Sequence, residues 1–178
     1  MDYHTTLSMP AIRAAQLRQV AAKRGTTPLE LVDAFIRASW DDVIGDKSLP
    51  DFDLTAGLDD DTETPTVYFT YTGTQPVFLT VEQTHAVADG ITDLVHGRAT
   101  RFEVDASYEI YRARFVGTKK GRGFLLQIED DVADASRKPI MVHGLTASIA
   151  EDLAESFRHY ATAASALVAG RQSNGQRP

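Results

Sequence analysis

The sequence contains no cysteine, and its 178 residues include no hydrophobic run long enough to span a membrane. The first absence excludes disulfides and cysteine-ligated metal sites, and it is consistent with the cytoplasmic location that we expect. A transmembrane helix needs about 20 mainly apolar residues, so we predict no membrane association. The N-terminus also lacks an apolar segment after a basic start, so we expect no secretory signal.

Motifs for catalysis and cofactor binding are missing too. The sequence has no Gly-x-Ser-x-Gly, no His-Glu-x-x-His, no dinucleotide fingerprint and no P-loop. His85, Asp89 and His96, with Glu82, share one face of a predicted helix, but that face lies opposite the apolar one. A solvated polar face is a more common reason for such a pattern than a metal site. We therefore predict no enzymatic activity, no cofactor and no metal.

Acidic residues are concentrated in one stretch of the chain. The formal net charge is −7, with 25 acidic and 18 basic side chains. Residues 41–65 carry nine acids and one lysine, whereas residues 1–40 carry five bases and three acids. Charge that is distributed so unevenly says more about binding partners than the total does.

Four segments follow from the composition and periodicity. Residues 1–40 read as a compact helical unit, residues 41–65 as an acidic linker, residues 66–170 as an α/β domain, and residues 171–178 as a disordered tail. Hairpins and two amphipathic helices are predicted in the third segment, so the expected fold class is α+β. The pattern fits either a duplicated ββα unit or ordinary alternation of strands and helices.

The first forty residues predict a short strand followed by two helices. LSMP ends a short alternating segment at a proline. The segment AIRAAQLRQVAAKRG then predicts a helix that ends at Gly25, with Leu17, Val20 and Ala21 on one face. A second helix begins at once, because Thr26 or Thr27 can cap it and Pro28 suits its first turn. Its predicted apolar side consists of Leu31, Val32, Phe35, Ile36 and Trp40.

This order and spacing resemble the ribbon-helix-helix family of DNA-binding proteins. The matching positions are LSMP, L17-x-x-V20-A21-x-x-x-G25, T26-T27-P28-L29-E30-L31-V32 and Ile36, all within residues 3–40. The resemblance implies an intertwined homodimer in which the N-terminal strands of two chains pair as a ribbon. It also implies that the ribbon enters the major groove of double-stranded DNA.

The resemblance assigns roles to individual residues. Alternation along the implied strand directs His4, Thr6 and Ser8 to the bases, while Leu7 and Met9 face the helices. Phosphates would be held at the start of the second helix, where unpaired amides carry partial positive charge. The residues implied there are Lys23, Arg24, Thr26 and Thr27. The setting implied is a bacterial, plasmid or phage transcriptional regulator such as a repressor.

Two further features leave alternatives open. Arg112, Arg114, Lys119, Lys120 and Arg122 gather on a predicted hairpin, which is either a second basic patch for nucleic acid or a soluble turn. The α/β domain could oligomerise, sense a ligand or bind a protein partner.

A different class of function is a non-enzymatic interaction or inhibitor protein. In that class the N-terminal unit only dimerises, and the acidic stretch or the α/β domain binds a protein.

Overall fold

A computed structural model describes residues 8–43, 49, 51–59, 61–72, 74–106, 113–121, 123–130 and 139–174. The chain forms two compact units, Met1–Asp46 and Lys47–Pro178. We call them unit 1 and unit 2, and each is described by itself. No helix in the described ranges combines the length and the apolar character needed to cross a membrane.

Unit 1 is a helical hairpin. Helix α1 spans Ala11–Arg24 and helix α2 spans Pro28–Val43. Gly25 ends α1 in the left-handed conformation, with φ 66° and ψ 27°, which costs glycine little because it has no Cβ. Both helices and the glycine stop confirm the prediction from the sequence. Ala21 is the one buried apolar residue in the described part of this unit.

Unit 2 contains seven strands and two helices within its described residues. Their order is β1 (Phe52–Leu58), β2 (Pro65–Tyr71), β3 (Val77–Thr80), α3 (Val81–Val95), β4 (Arg101–Asp105), β5 (Ala113–Lys120), β6 (Gly123–Asp130), β7 (Met141–Leu145) and α4 (Ala147–Asn174). All these strands pair antiparallel, so the fold class of the chain is α+β, as predicted.

Strands β1, β2 and β3 form a three-stranded sheet, which we call sheet A. Strand β1 corrects the prediction of a linker over residues 41–65, because Phe52–Leu58 pairs along its whole length with β2. The side chains of Phe52 and Leu54 are each 4% exposed. Alternating apolar residues thus outweigh the acidic composition, and most of the acids lie outside the strand. Residues 41–43 of the same stretch belong to α2.

Strands β4 to β7 form a four-stranded sheet, sheet B, in chain order. The predicted hairpin is present, and its first strand continues to Lys120, which pairs with β6. Gly117 is in the strand because the ring of Phe102 on β4 lies where a Cβ of residue 117 would stand. Gly121, directly after the strand, takes a φ of 63°.

Each helix of unit 2 packs on the sheet that does not precede it. Helix α3 follows sheet A, yet it packs mainly on β4 and β5 of sheet B and on α4. Helix α4 follows sheet B, yet its Phe157 stacks on Phe69 of β2 with ring centroids 5.5 Å apart. A short hairpin followed by a threonine at a helix start occurs at both Thr80 and Thr146. The two sheets have three and four strands, so a duplicated unit and ordinary alternation both stay open.

The predictions for the two chain ends concern a C-terminal tail and an N-terminal ribbon strand. Helix α4 continues to Asn174, so the tail predicted for residues 171–178 is wrong for its first four positions, and residues 175–178 lie outside the described residues. The ribbon strand stays a prediction, because residues 3–7 also lie outside them. In the part of the chain that the structure describes, the first strand is β1, after both helices of unit 1.

Candidate nucleic-acid interface

The predicted base-contacting residues come just before α1. His4 and Thr6 lie outside the described residues. Ser8 is exposed and belongs to no strand in the single chain. Pro10 holds an extended backbone, with φ −55° and ψ 138°, and the peptides of Arg13 and Ala14 donate hydrogen bonds to its carbonyl. The chain therefore enters α1 from an extended residue, as a strand preceding the helix would require.

The predicted phosphate contacts Lys23 and Arg24 occupy the last turn of α1. Both side chains are exposed. Two cations at the C-terminal end of a helix interact favourably with its dipole, so part of their effect is to stabilise α1 itself. Gly25 follows directly and turns the chain. Lys23 and Arg24 therefore lie only a few residues before the start of α2 at Pro28.

The start of α2 is a closed network of hydrogen bonds centred on Glu30. The amide of Thr27 donates to Oε2 of Glu30 at 2.8 Å, and the amide of Glu30 donates to Oγ1 of Thr27 at 3.2 Å. The Thr26 hydroxyl donates to the same carboxylate oxygen at 2.6 Å. This reciprocal pattern is a capping box. The two threonines predicted to contact phosphate are brought together, but around a carboxylate of the same chain.

The network fixes a negative charge at this helix end. The hydrogen bond from the Thr26 hydroxyl, with smaller effects from Thr27, lowers the pKa of Glu30 below its ordinary value of 4.5. Glu30 is therefore ionised at neutral pH, where it complements the helix dipole. A phosphate at the same position must compete with this carboxylate for the threonine hydroxyl and the amides. The assignment of Thr26 and Thr27 as phosphate contacts stays a prediction, in which Glu30 is the competing partner.

Apolar side chains form a stripe along α2, which we call the α2 stripe. They occupy four of five successive positions in the alternating three- and four-residue spacing of a coiled-coil seam: Leu29, Val32, Ile36 and Val43. The remaining seam position holds the small polar residue Ser39. Leu29 is 73% exposed, Ile36 54% and Val43 75%, and the adjacent Phe35 is 71% exposed. A surface of this kind on a short helix is typical of a protein contact.

The described residues of the possible second basic patch, Arg114, Lys119 and Lys120, are separated along β5. Arg114 is bound by two carboxylates: its Nη2 lies 2.9 Å from Glu129 Oε2, and its Nη1 lies 3.4 Å from Glu103 Oε2. Lys119 and Lys120 are exposed at the far end of the same strand. The strand between Arg114 and Lys119 rises by about 3.3 Å per residue, so the two side chains start far apart. Arg112 and Arg122 lie outside the described residues.

The sequence interpretation missed two features of this surface. It placed Glu30 near the helix start, yet it did not recognise Thr27-Pro28-Leu29-Glu30 as a capping box, although that pattern is readable. The predicted apolar side of α2 also omitted Leu29 and Val43. Heptad spacing was the signal that could have identified them. Among the residues that the structure describes, no group of three or more His, Asp or Glu is placed to hold a metal ion.

No family model, no curated protein and no solved structure matches the chain.

Proposed function

We propose that the protein is a dimeric, sequence-specific DNA-binding protein that reads the major groove through its N-terminal segment. The observation that carries this proposal is the α2 stripe in a unit with almost no core of its own. A helical hairpin of this size without disulfides is too small to be stable alone, so we expect an association that buries its apolar residues. A second copy supplies that burial if the two hairpins interlock.

Three features of the chain support DNA as the ligand. The helix, glycine turn and helix of unit 1 have the order and spacing of the ribbon-helix-helix pattern. An extended residue precedes α1, and two exposed cations, Lys23 and Arg24, flank the turn. A two-stranded ribbon fits the major groove, and helix-end cations hold phosphates without reading sequence. Transcriptional regulation, such as repression, is the corresponding cellular role.

The test of DNA binding is a fluorescence-anisotropy titration on the duplex upstream of the protein's own gene and on a scrambled duplex, each at two salt concentrations. We expect tighter binding to the upstream duplex and a steep loss of affinity as the salt concentration rises. Equal, weak binding to both duplexes at low salt would contradict the proposal and favour an interaction protein in which unit 1 only dimerises.

Single substitutions separate base contacts from phosphate contacts. Thr6→Ala or Ser8→Ala should change the ranking of duplex sequences. Lys23→Ala should weaken binding about equally on all duplexes and reduce the salt slope by about one. Arg98→Ala is the control, because it removes an exposed cation of unit 2 that lies outside the possible second basic patch, and it should leave both readouts unchanged.

Dimerisation through unit 1 has its own test. Ile36→Lys places a charge in the middle of the α2 stripe, so sedimentation at about 1 μM, where only a strong contact persists, should show a large loss of self-association. The single tryptophan, Trp40, lies on the same helix, and its half-buried indole should shift its emission to longer wavelength on dilution of the dimer. A dimer of Ile36→Lys that is as stable to dilution as that of the natural chain would contradict the interlocked dimer.

A further inference from the structure

The two sheets of unit 2 have four edge strands, and three of them carry features that discourage pairing with another chain. Strand β4 presents Arg101, Glu103 and Asp105 at alternate positions. Strand β3 has only four residues and follows Pro76, while β1 exposes Asp53. Charges, prolines and shortness are the usual means by which proteins protect sheet edges.

The fourth edge, β7, has none of the charges or prolines. Its sequence is Met-Val-His-Gly-Leu. In the described residues its backbone pairs only with β6, so its other side is the edge of sheet B, while the His143 side chain is hydrogen-bonded to Tyr71 of β2 at 3.1 Å. Met141 and Leu145 are buried in the core of unit 2. The strand is therefore firmly held on one side and uncharged on the other.

Val142 and Gly144 lie on the face of β7 that points away from the core. Val142 is 49% exposed, and it is one of two large apolar residues that unit 2 exposes in the part of the chain described. Gly144 is exposed as well, and no atom lies within 4 Å of the position that a Cβ would take there. A protruding side chain and an empty space thus sit two residues apart on one edge.

We propose that β7 pairs antiparallel with β7 of a second copy of the chain, so that two four-stranded sheets join across a two-fold axis. Centred on His143, this pairing sets Val142 of each copy opposite Gly144 of the other. The contact is then self-complementary, as a two-fold interface must be, since the same patch serves both sides. The backbone groups along the edge supply hydrogen bonds and the valine side chain fills the glycine space.

A second copy is the occupant favoured over a foreign strand because one edge carries both the protrusion and the matching space. The contact is short, so it gains strength when the two chains are already linked through unit 1, which raises their effective concentration. The pairing does not depend on DNA binding. If unit 1 dimers form on neighbouring DNA sites, the same contact can instead join one dimer to the next.

Disulfide trapping tests the register directly, because the natural chain has no cysteine. Chains carrying Val142→Cys and chains carrying Gly144→Cys are co-expressed, and each is also prepared alone. Opposed residues have Cα atoms about 4.5–5.5 Å apart, which suits a disulfide, whereas diagonal neighbours are about 7–8 Å apart. We expect the mixture to form linked dimers about tenfold faster than either variant alone.

A Leu167→Cys chain is the matched control, since Leu167 on α4 is also exposed, at 42%, and should give only slow, random linkage. Equal rates for the mixture, the single variants and this control would overturn the proposal. Faster linkage of Val142→Cys with itself would overturn it too, because that result requires a different register.

Sedimentation gives a second measurement that does not require the cysteine variants to fold. The chain with Ile36→Lys should still self-associate through β7, whereas the double variant with Ile36→Lys and Val142→Lys should be a monomer. Leu167→Lys in place of Val142→Lys should leave the association intact. If Ile36→Lys alone gives a monomer at about 100 μM, the β7 contact is overturned while the dimer of unit 1 stands. If only Val142→Lys lowers the mass, the β7 contact stands and the dimer of unit 1 fails.

Discussion

The two units of this chain differ in how far they bury their large apolar residues. Unit 2 encloses its large apolar residues between two sheets and two helices, where Phe69, Phe115 and Phe157 have no exposed surface. Unit 1 exposes Leu29, Phe35 and Val43 by more than two thirds each. Unit 2 thus buries most of its apolar residues within a single chain, whereas unit 1 leaves the α2 stripe exposed. That difference is the reason for placing the proposed dimer contact on unit 1.

The largest expected effect that separates the units comes from a matched pair of phenylalanines. Phe157→Ala should cost unit 2 about 3–5 kcal/mol, because the ring is fully buried and contacts Phe69 and Phe115. Phe35→Ala should change the free energy of unfolding of unit 2 by less than about 0.5 kcal/mol, but it should weaken self-association. Urea denaturation followed by circular dichroism measures the first, and sedimentation the second. Similar losses of stability from both would contradict the comparison.

Two glycines of sheet B test how tightly unit 2 is packed. Gly117→Ala should destabilise the unit by about 1–3 kcal/mol, because the new methyl group overlaps the ring of Phe102. Gly144→Ala is the control, since the position faces open space and should lose little stability. Thermal unfolding compares the two variants. An unaffected Gly117→Ala protein would show that Phe102 can move away without cost.

Capping boxes occur in both units, so the same substitution can be made in each. Thr80 and Gln83 cap α3 as Thr27 and Glu30 cap α2. Thr80→Ala should lower the free energy of unfolding of unit 2 by about 1 kcal/mol and leave unit 1 unchanged. Thr27→Ala should destabilise α2 of unit 1 by a similar amount and leave unit 2 unchanged. Amide hydrogen exchange resolves the two helices, and serine at either position should restore protection. Loss of protection in both helices from one substitution would contradict their independence.

Acid should act on the two units in different pH ranges. Burial, opposed in part by Asp51, lowers the pKa of His143 below 6.5, so unit 2 should lose stability as the pH falls from 6.5 towards that lower pKa. The contribution of Glu30 to α2 is present above pH 4.5 and lost as the pH falls through its lowered pKa. The pH dependence of stability in the natural chain and in His143→Asn should differ only below about pH 6.5. Identical curves would contradict a role for His143.

Much of the fold was readable because long periodic segments determine their own structure. An apolar face of α3 opposite His85 and Asp89 was predicted from spacing alone, and it is confirmed by the burial of Val87, Ala88 and Ile91. Strand β1 was missed, because a seven-residue strand is stabilised by its pairing with β2 and its acidic flanks dominate the composition. The exchange of helices between the sheets has no local signal, since it depends on contacts between residues distant in sequence.

The candidate interface was predictable in its elements but not in its chemistry. Gly25 and the two helices followed from local rules for helix ends. The involvement of Thr26 with Glu30 depends on side-chain rotamers that residue types alone do not specify. Exposure of Ile36 depends on what else packs on α2, and a periodic pattern cannot distinguish a core from an interface. Such patterns are better guides to secondary structure than to partners.

The crossed packing of the helices also has a consequence for how the protein is made. Sheet A is complete as soon as β3 has been synthesised, but Phe69 receives its stacking partner only when Phe157 emerges, late in the chain. At about 5–20 residues per second, the ribosome leaves the part of sheet A that α4 covers without that helix for several seconds. We expect the nascent chain to bind chaperones during that interval, and a chain truncated before α4 to aggregate.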